Sequence, residues 1–230
     1  MGRELIRVFG AFEINPELYR CVILTAAGER TFCGGADLKQ REGMTDEQFS
    51  RQHYLFERMN RAITHCPVAV ICAANGSAVA GGLELMLACD FAYASKNAVF
   101  GFTEVKRGIM PGGGGTQNLP RAVGERRAKE IILSAKPFTA DEAAAWGVLN
   151  RVCEPGDLIK DAMETAHTIA ANAPLSVRQA KKSIHYGLQG DIATGLRFEI
   201  EAYNRLVSTE DRREGIRAFN EKRKPVYRGR

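Results

Sequence analysis

The sequence predicts an α/β protein with a helical C-terminal region. Short apolar runs of strand character alternate with segments of helical period up to about residue 155, and this alternation is typical of α/β architecture. From residue 158 to residue 222, apolar residues recur only at helical spacing. We therefore expect an α/β core over residues 1–155 and a helical region over residues 156–230.

The first elements follow from local patterns. The run CVILTAAG (21–28) predicts a buried strand, and residues 45–65 predict a helix in which Thr45 and Gln48 have the spacing of a capping box. The run VAVICAA (68–74) predicts a second buried strand. The helix carries an apolar stripe made of Phe49, Leu55, Phe56, Met59 and Ile63.

The alternation continues beyond the second strand. We interpret NGSAVAGG (75–82) as a loop and LELMLACD (83–90) as a helix of about two turns. FAYAS (91–95) and AVFGF (98–102) predict strands, and PGGGGTQNL (111–119) predicts the start of another helix.

The C-terminal helices have recognisable boundaries. Thr139 and Glu142 predict a second capping box. Pro174, Gly187 and Gly190 are expected to interrupt the helical region, since proline and glycine punctuate helices.

Composition excludes several classes of protein. With 45% apolar residues in 230, the chain can fill a large core. Its longest apolar stretches are far shorter than the roughly 20 residues of a membrane span, and its start lacks the apolar block of a secretion signal, so we expect a cytoplasmic protein. Six cysteines without a CxxC pair predict reduced thiols. Four scattered histidines (53, 65, 167, 185) predict surface or capping positions and no metal site.

The net charge of +5 is concentrated in residues 178–186 and 212–230. Solvated helix faces, a polyanionic small molecule or a nucleic acid would each account for it.

Two glycine pairs indicate chemistry. Gly81 starts a helix with its amide unpaired, and an N–H without a neighbouring Cβ can approach a ligand oxygen closely. Gly34 and Gly35 follow the strand at 21–26 in the same manner, with Asp37 placed to cap the next element. Two such donors from separate loops suggest an oxyanion hole, in which each donor is worth about 3–4 kcal/mol.

Carboxylates supply the acid and base. No GxSxG occurs, and no serine or cysteine lies at suggestive spacing from a histidine, so acyl-enzyme chemistry has little support. Glu84 lies about one helical turn beyond Gly81, and Glu104 lies between a strand and a glycine-rich helix start. Two glutamates near a polarised carbonyl suit enolate chemistry.

Four segments together resemble the enoyl-CoA hydratase/isomerase (crotonase) superfamily over about residues 17–230: FCGGADLK, NGSAVAGGLELMLACDF, FGFTEVKRGIMPGGGGTQNLPRAVG and GIRAFNEKRKPVYRG. The resemblance implies a spiral of ββα turns followed by a helical trimerisation region. It also implies an acyl-CoA substrate, no cofactor, and a homotrimer or dimer of trimers. Relatives usually begin with a strand pair about thirty residues earlier, so we expect that pair to be missing here.

The resemblance assigns roles to residues. The oxyanion amides fall on Gly34 and Gly81, the two hydratase glutamates on Glu84 and Glu104, and the glycine beside the catalytic water on Gly112. Residues expected to bind the substrate and its coenzyme A are Gly35, Ala36, Asp37, Lys39 and Lys222. The acyl pocket is expected between residues 40 and 60 and in parts of 103–150, including Met110 and Trp146.

Because both glutamates are present, the resemblance favours reversible hydration of a 2-trans-enoyl-CoA, with Glu84 activating water and Glu104 serving the Cα proton. A double-bond isomerase or a dehydratase of a specialised acyl-CoA, such as a carnitinyl thioester, remains an alternative. A non-catalytic scaffold or an RNA-binding protein is more remote, since no RNA-binding motif occurs and only 8% of residues are aromatic.

Overall fold

The fold is a repeated strand–strand–helix unit followed by helices. The computed structural model describes all residues 1–230. The strands are β1 (Cys21–Leu24), β2 (Thr31–Cys33), β3 (Ala69–Ala74), β4 (Ser77–Val79), β5 (Phe91–Ser95), β6 (Val99–Gly101), β7 (Phe138–Thr139) and β8 (Arg151–Cys153). The helices are α1 (Gly2–Ile14), α2 (Leu38–Glu42), α3 (Asp46–Thr64), α4 (Gly81–Leu87), α5 (Gly115–Val123), α6 (Glu125–Ser134), α7 (Ala140–Ala145), α8 (Leu158–Ala170), α9 (Pro174–Gly187), α10 (Ile192–Val207) and α11 (Glu210–Asn220). Short 3-10 turns cover Pro16–Leu18 and Glu104–Arg107.

From β1 to β6, consecutive strands alternate between two four-stranded sheets, and β7 and β8 then add one strand to each sheet. One sheet has the order β1-β3-β5-β8 and the other β2-β4-β6-β7. The pairs β2–β4, β3–β5, β4–β6 and β5–β8 are parallel, and β6–β7 is antiparallel. Each turn of the chain thus adds one strand to each sheet, which is the spiral that the resemblance implied.

The predicted capping boxes are present. The Thr45 hydroxyl accepts the Gln48 amide, and the Gln48 side chain accepts the Thr45 amide in return. Thr139 and Glu142 make the same reciprocal pair. Both pairs satisfy amides that the first helical turn leaves without backbone partners.

Several strand predictions need correction. The strand predicted over 21–28 ends at Leu24 and is half-buried, whereas β3 is buried along its whole length, as predicted. Part of the segment interpreted as a loop forms β4. The strands β2, β7 and β8 were not predicted, because two or three residues are too few to show a period.

The chain divides into two compact units. The first contains Met1–Gly10, Ile23–Cys66 and Val70–Met163, and the second contains Ala11–Val22, Pro67–Ala69 and Glu164–Arg230. The helical region is interrupted at two of the predicted positions, because α9 starts at Pro174 and ends at Gly187. The boundary at residue 155 and the oligomerisation role of residues 156–230 stay predictions.

In the second unit, hydrogen bonds hold the C-terminal residues of the chain against α11. The Asp211 carboxylate accepts the amides of Arg228 and Gly229, both at 2.7 Å. The Glu214 carboxylate binds the guanidinium groups of Arg217 and Arg223 and accepts the Val226 amide at 3.0 Å. None of the helices in the chain is both long enough and apolar enough to cross a membrane.

Candidate active site

A cavity of about 670 Å³ lies in the first unit. Its size is within the range of small-molecule sites. Seven residues expected at the site line it, namely Gly34, Gly35, Ala36, Gly81, Glu84, Glu104 and Gly112. The fold therefore brings the two glycine loops and both glutamates to one space.

The two glycine loops touch at Gly35 and Gly81. A Cβ added to Gly81 would lie 3.5 Å from the Gly35 Cα, and one added to Gly35 would lie 3.0 Å from the Gly81 amide nitrogen. Gly35 also has φ of +85°, a backbone conformation that glycine adopts without strain. The amide of Gly81 is the first of α4 and has no partner within the helix.

Gly82 has a packing role. A Cβ at this position would lie 1.9 Å from the Cys33 carbonyl oxygen, at the end of β2. The absence of a side chain lets α4 lie directly against the strand that leads into the other glycine loop. This close approach sets the position of both loops.

Ala80, just before α4, has a strained backbone. Its φ of 53° and ψ of −125° are unusual for a residue with a Cβ. The strain persists because the backbone is held at both groups: the Ala80 amide donates to the Gly101 carbonyl at 2.8 Å, and the Ala80 carbonyl accepts from Leu83 and Glu84. Such strain is commonly retained where a backbone group must point in a required direction.

Glu84 is buried on α4 and is held through one oxygen. Its Oε1 accepts the amides of Gly113 at 2.7 Å and Gly115 at 2.9 Å. Burial raises the pKa of Glu84, while these two hydrogen bonds and the nearby His53 act in the opposite direction. The balance leaves a carboxylate with a raised pKa in a fixed orientation.

Glu104 is also buried, with 8% exposure, at the start of the 3-10 turn after β6. Its Oε2 has no hydrogen-bond partner. Burial raises the pKa of Glu104, and the charge of Glu84 raises it further, whereas Arg107 lowers it. Two acids whose protonation depends on each other are suited to passing protons to and from a substrate.

Two polar residues of α3 complete the site, and the sequence reasoning missed both. His53 lies against Gly112, where an added Cβ would be 2.3 Å from its Nε2. The buried Asn60 donates from Nδ2 to the Gly113 carbonyl at 2.8 Å. His53 was expected at the surface, which is wrong, since it lines the cavity. Its place between Phe49 and Phe56 on the apolar stripe was the signal available in the sequence.

Some of the residues expected in the acyl pocket line the cavity, and their role in binding the acyl group stays a prediction. Met110 lines the cavity, as do Arg41, Phe49 and Phe56 from the predicted 40–60 range. Trp146 does not line it, contrary to expectation: its ring packs 5.3 Å from that of Phe138 and under the guanidinium of Arg127.

Three residues expected to contact coenzyme A do not line the cavity. Asp37 caps α2 by accepting the amides of Lys39 and Gln40, and Lys39 is exposed on that helix. Lys222 lies in the second unit, exposed and with φ of 53°. Their roles in binding stay predictions. No group of three or more histidine, cysteine, aspartate or glutamate residues is arranged to hold a metal ion.

Spiral ββα turns around a cavity with two buried carboxylates and a glycine-loop amide define an enzyme of the crotonase fold. The family profile for enoyl-CoA hydratase/isomerase matches residues 1–230. This chain belongs to the enoyl-CoA hydratase/isomerase family, whose members act on acyl-CoA thioesters.

Named relatives agree with this assignment. The short-chain-enoyl-CoA hydratase of Clostridium acetobutylicum is 42% identical over 96% of this chain and 85% of its own length. The mitochondrial methylglutaconyl-CoA hydratase of Mus musculus is 41% identical over 91% of this chain and 68% of its own. The crystal structure of enoyl-CoA hydratase from Bacillus anthracis superposes with a TM-score of 0.96 at 44% identity, covering 100% of this chain and 88% of that one.

Proposed function

We propose that the protein catalyses the reversible syn addition of water to a 2-trans-enoyl-CoA, which yields a 3-hydroxyacyl-CoA. The observation that carries the proposal is the presence of two buried glutamates, Glu84 and Glu104, in the cavity that the loops at Gly34 and Gly81 also line. A relative that only moves a double bond needs one base, whereas hydration uses two groups that handle different protons.

The amides of Gly34 and Gly81 are assigned the thioester oxygen. Donors fixed in the fold stabilise the enolate that forms when the Cα–Cβ double bond takes up a nucleophile, with no reorganisation at the moment of reaction. Contact between the Gly35 and Gly81 backbones supports convergence of the two loops on one oxygen.

Glu84 is assigned the water. With Oε1 occupied by two amides, Oε2 is the oxygen left to accept a water proton. As Glu84 Oε2 takes one water proton, the water oxygen bonds to Cβ, the double-bond electrons move to Cα and the thioester oxygen, and Glu104, which enters the step protonated, delivers its proton to Cα. Transfer of the proton from Glu84 back to Glu104 through water then restores both acids. Gly112 and the adjacent His53 would position the water. The sum is one water added, with no change in redox state, so coenzyme A enters only as part of the substrate.

Coenzyme A and assembly complete the proposal. The residues that would contact the coenzyme are Gly35, Ala36, Asp37, Lys39 and Lys222, and the phosphates of the coenzyme suit the two lysines.

A homotrimer or dimer of trimers is supported by exposed apolar side chains on α9 and α10, namely Ile184, Ile192, Leu196 and Ile200. Light scattering after size exclusion would measure the assembly.

The test is a panel of short, long, branched and aromatic 2-enoyl-CoA thioesters, followed by loss of their conjugated absorbance. We expect hydration of at least one thioester by the wild-type protein and its loss in Glu84→Gln. Conversion of a 3-enoyl-CoA by Glu84→Gln, with hydration abolished, would instead support the isomerase alternative. No turnover of either class would contradict the proposal.

A further inference from the structure

One face of α3 forms a wall of the cavity. Phe49, His53, Phe56 and Asn60 recur at spacings of four, three and four residues, so they share a helix face, and all four line the cavity. Asn60 marks the reacting end, because its partner Gly113 also binds Glu84. The two phenylalanines make the rest of this wall apolar.

Arg41 is a cation placed on that apolar wall. Its guanidinium carbon lies 4.5 Å from the centre of the Phe49 ring and 5.8 Å from that of Phe56. Its Nε donates to Gln52 Oε1 at 2.7 Å, which fixes the plane of the group. Arg41 lines the cavity, is half-buried, and forms no ion pair with any carboxylate of the chain.

An arginine in this setting lacks an anion. Burial lowers the pKa of Arg41, which means that the surroundings disfavour its charge. Stacking on aromatic rings compensates in part, but the terminal amino groups of a guanidinium are shaped to bind a carboxylate through two parallel hydrogen bonds. A ligand that brings a carboxylate to this wall would supply the missing partner.

The position along α3 suits the far part of an acyl chain. Phe56 and Phe49 precede Asn60 by four and eleven residues, which is about 6 and 16 Å along the axis at a rise of about 1.5 Å per residue. Arg41 packs on both rings and so lies one to three turns from the reacting end. Apolar rings between that end and a cation match a short carbon chain with a terminal negative charge.

We propose that Arg41 binds a carboxylate on the acyl group, so that the preferred substrate is the coenzyme A monothioester of an unsaturated dicarboxylic acid. This inference rests on the proposed function and names its substrate class. Arg107 also lines the cavity, but it is exposed and its Nη1 already donates to the Thr103 carbonyl at 3.0 Å.

The test compares binding of two saturated thioesters of equal chain length, glutaryl-CoA and pentanoyl-CoA, by calorimetry. We expect wild-type protein to bind glutaryl-CoA about 10- to 100-fold more tightly, as one charge-assisted pair predicts. Arg41→Met should remove this preference by weakening glutaryl-CoA alone, and Arg41→Lys should keep part of it. The matched control is Arg127→Met, which removes an arginine stacked 4.5 Å from an aromatic ring outside the cavity and should leave the preference intact.

Three results would overturn the proposal. The first is equal affinity of the wild-type protein for glutaryl-CoA and pentanoyl-CoA, a measurement that does not depend on the folding of any variant. An equal loss of acetyl-CoA, pentanoyl-CoA and glutaryl-CoA binding in Arg41→Met would place Arg41 at the coenzyme phosphates or in the wall alone. If the preference for glutaryl-CoA were lost in Arg107→Met but not in Arg41→Met, the carboxylate would be bound by Arg107 and not by Arg41. Saturated thioesters are not hydrated, so this result is independent of whether hydration is observed.

Discussion

Glu84 Oε1 lies 2.7 Å from the amide nitrogen of Gly113, across 29 residues of sequence, and accepts its hydrogen bond. The Gly115 amide binds the same oxygen at 2.9 Å. The other oxygen, Oε2, would be 2.8 Å from a Cβ at Gly113 and 4.0 Å from one at Gly81, so it lies between the two glycine loops. One carboxylate oxygen is therefore structural, and the other remains for chemistry.

Replacing Glu84 by glutamine separates these two roles. Glutamine Oε1 can still accept both amides, so the fold should be retained, but the side chain can no longer take a proton. We expect the kcat for hydration to fall by about 10²- to 10⁴-fold, the usual contribution of a general base. Absorbance assays measure the rate, and circular dichroism with thermal melting checks the fold. Activity within a few-fold of wild type would remove Glu84 from the chemistry.

Gly113→Ala should lower activity although it replaces none of the side chains that react. The added Cβ would lie 2.5 Å from Asn60 Nδ2 and 2.8 Å from Glu84 Oε2, so it would displace the carboxylate. We expect kcat to fall by about 100-fold, because small misplacements of a reacting group cost rates of this order.

Gly156→Ala is the control for that variant, since nothing lies within 4 Å of the added Cβ. It should retain wild-type kcat. Equal activity of the two variants would show that the space beside Glu84 is not needed.

Gly82→Ala should destabilise the protein strongly. The Cβ would lie 1.9 Å from the Cys33 carbonyl oxygen, and backbone cannot rotate away as a side chain can. We expect a loss of about 3 kcal/mol or more in the free energy of unfolding, at the upper end of overpacking effects. Denaturant titration measures it. Gly34→Ala, whose Cβ meets nothing within 4 Å, should stay within about 0.5 kcal/mol of wild type. Equal stability of the two variants would refute the packing argument.

Glu104→Gln should alter the pH dependence of stability. Burial raises the pKa of Glu104, so the folded protein holds this proton more tightly than the unfolded chain does. The resulting stabilisation is present below the unfolded pKa of about 4.3 and is lost as pH rises through the folded pKa. At about pH 7.5, above the unfolded pKa, this stabilisation is reduced or lost, while burial still disfavours ionisation of the carboxyl group, whose Oε2 is unpaired. The neutral variant should therefore be more stable by on the order of 1 kcal/mol.

Near pH 4 this advantage should shrink, and denaturant titrations of both proteins at the two pH values measure the difference. Glu57→Gln, at an exposed position of α3, should show no such change with pH. An advantage of Glu104→Gln that grows toward acid pH would contradict the argument.

Features that depend on residues close together in the sequence were predicted, and features that depend on distant residues were not. Thr45 and Gln48 lie three residues apart, so their capping box is a local property and was predicted. Gly81 and Glu84 share one turn of α4, so their joint approach to the cavity was also local. By contrast, His53 and Asn60 become part of the site only because α3 packs beside the Gly112–Gly113 loop, more than fifty residues away along the chain.

By itself, the sequence determined the two capping boxes, the glycine pairs, the pair of glutamates and the family, because these depend on short-range patterns and on residues that must occur in order. The tertiary structure decided which carboxylate oxygen is held, why Gly82 tolerates no side chain, and that Arg41 stands in the cavity without an anion. Each of these depends on distances between segments remote in sequence, and such distances exist only once the parallel strands have brought those segments together.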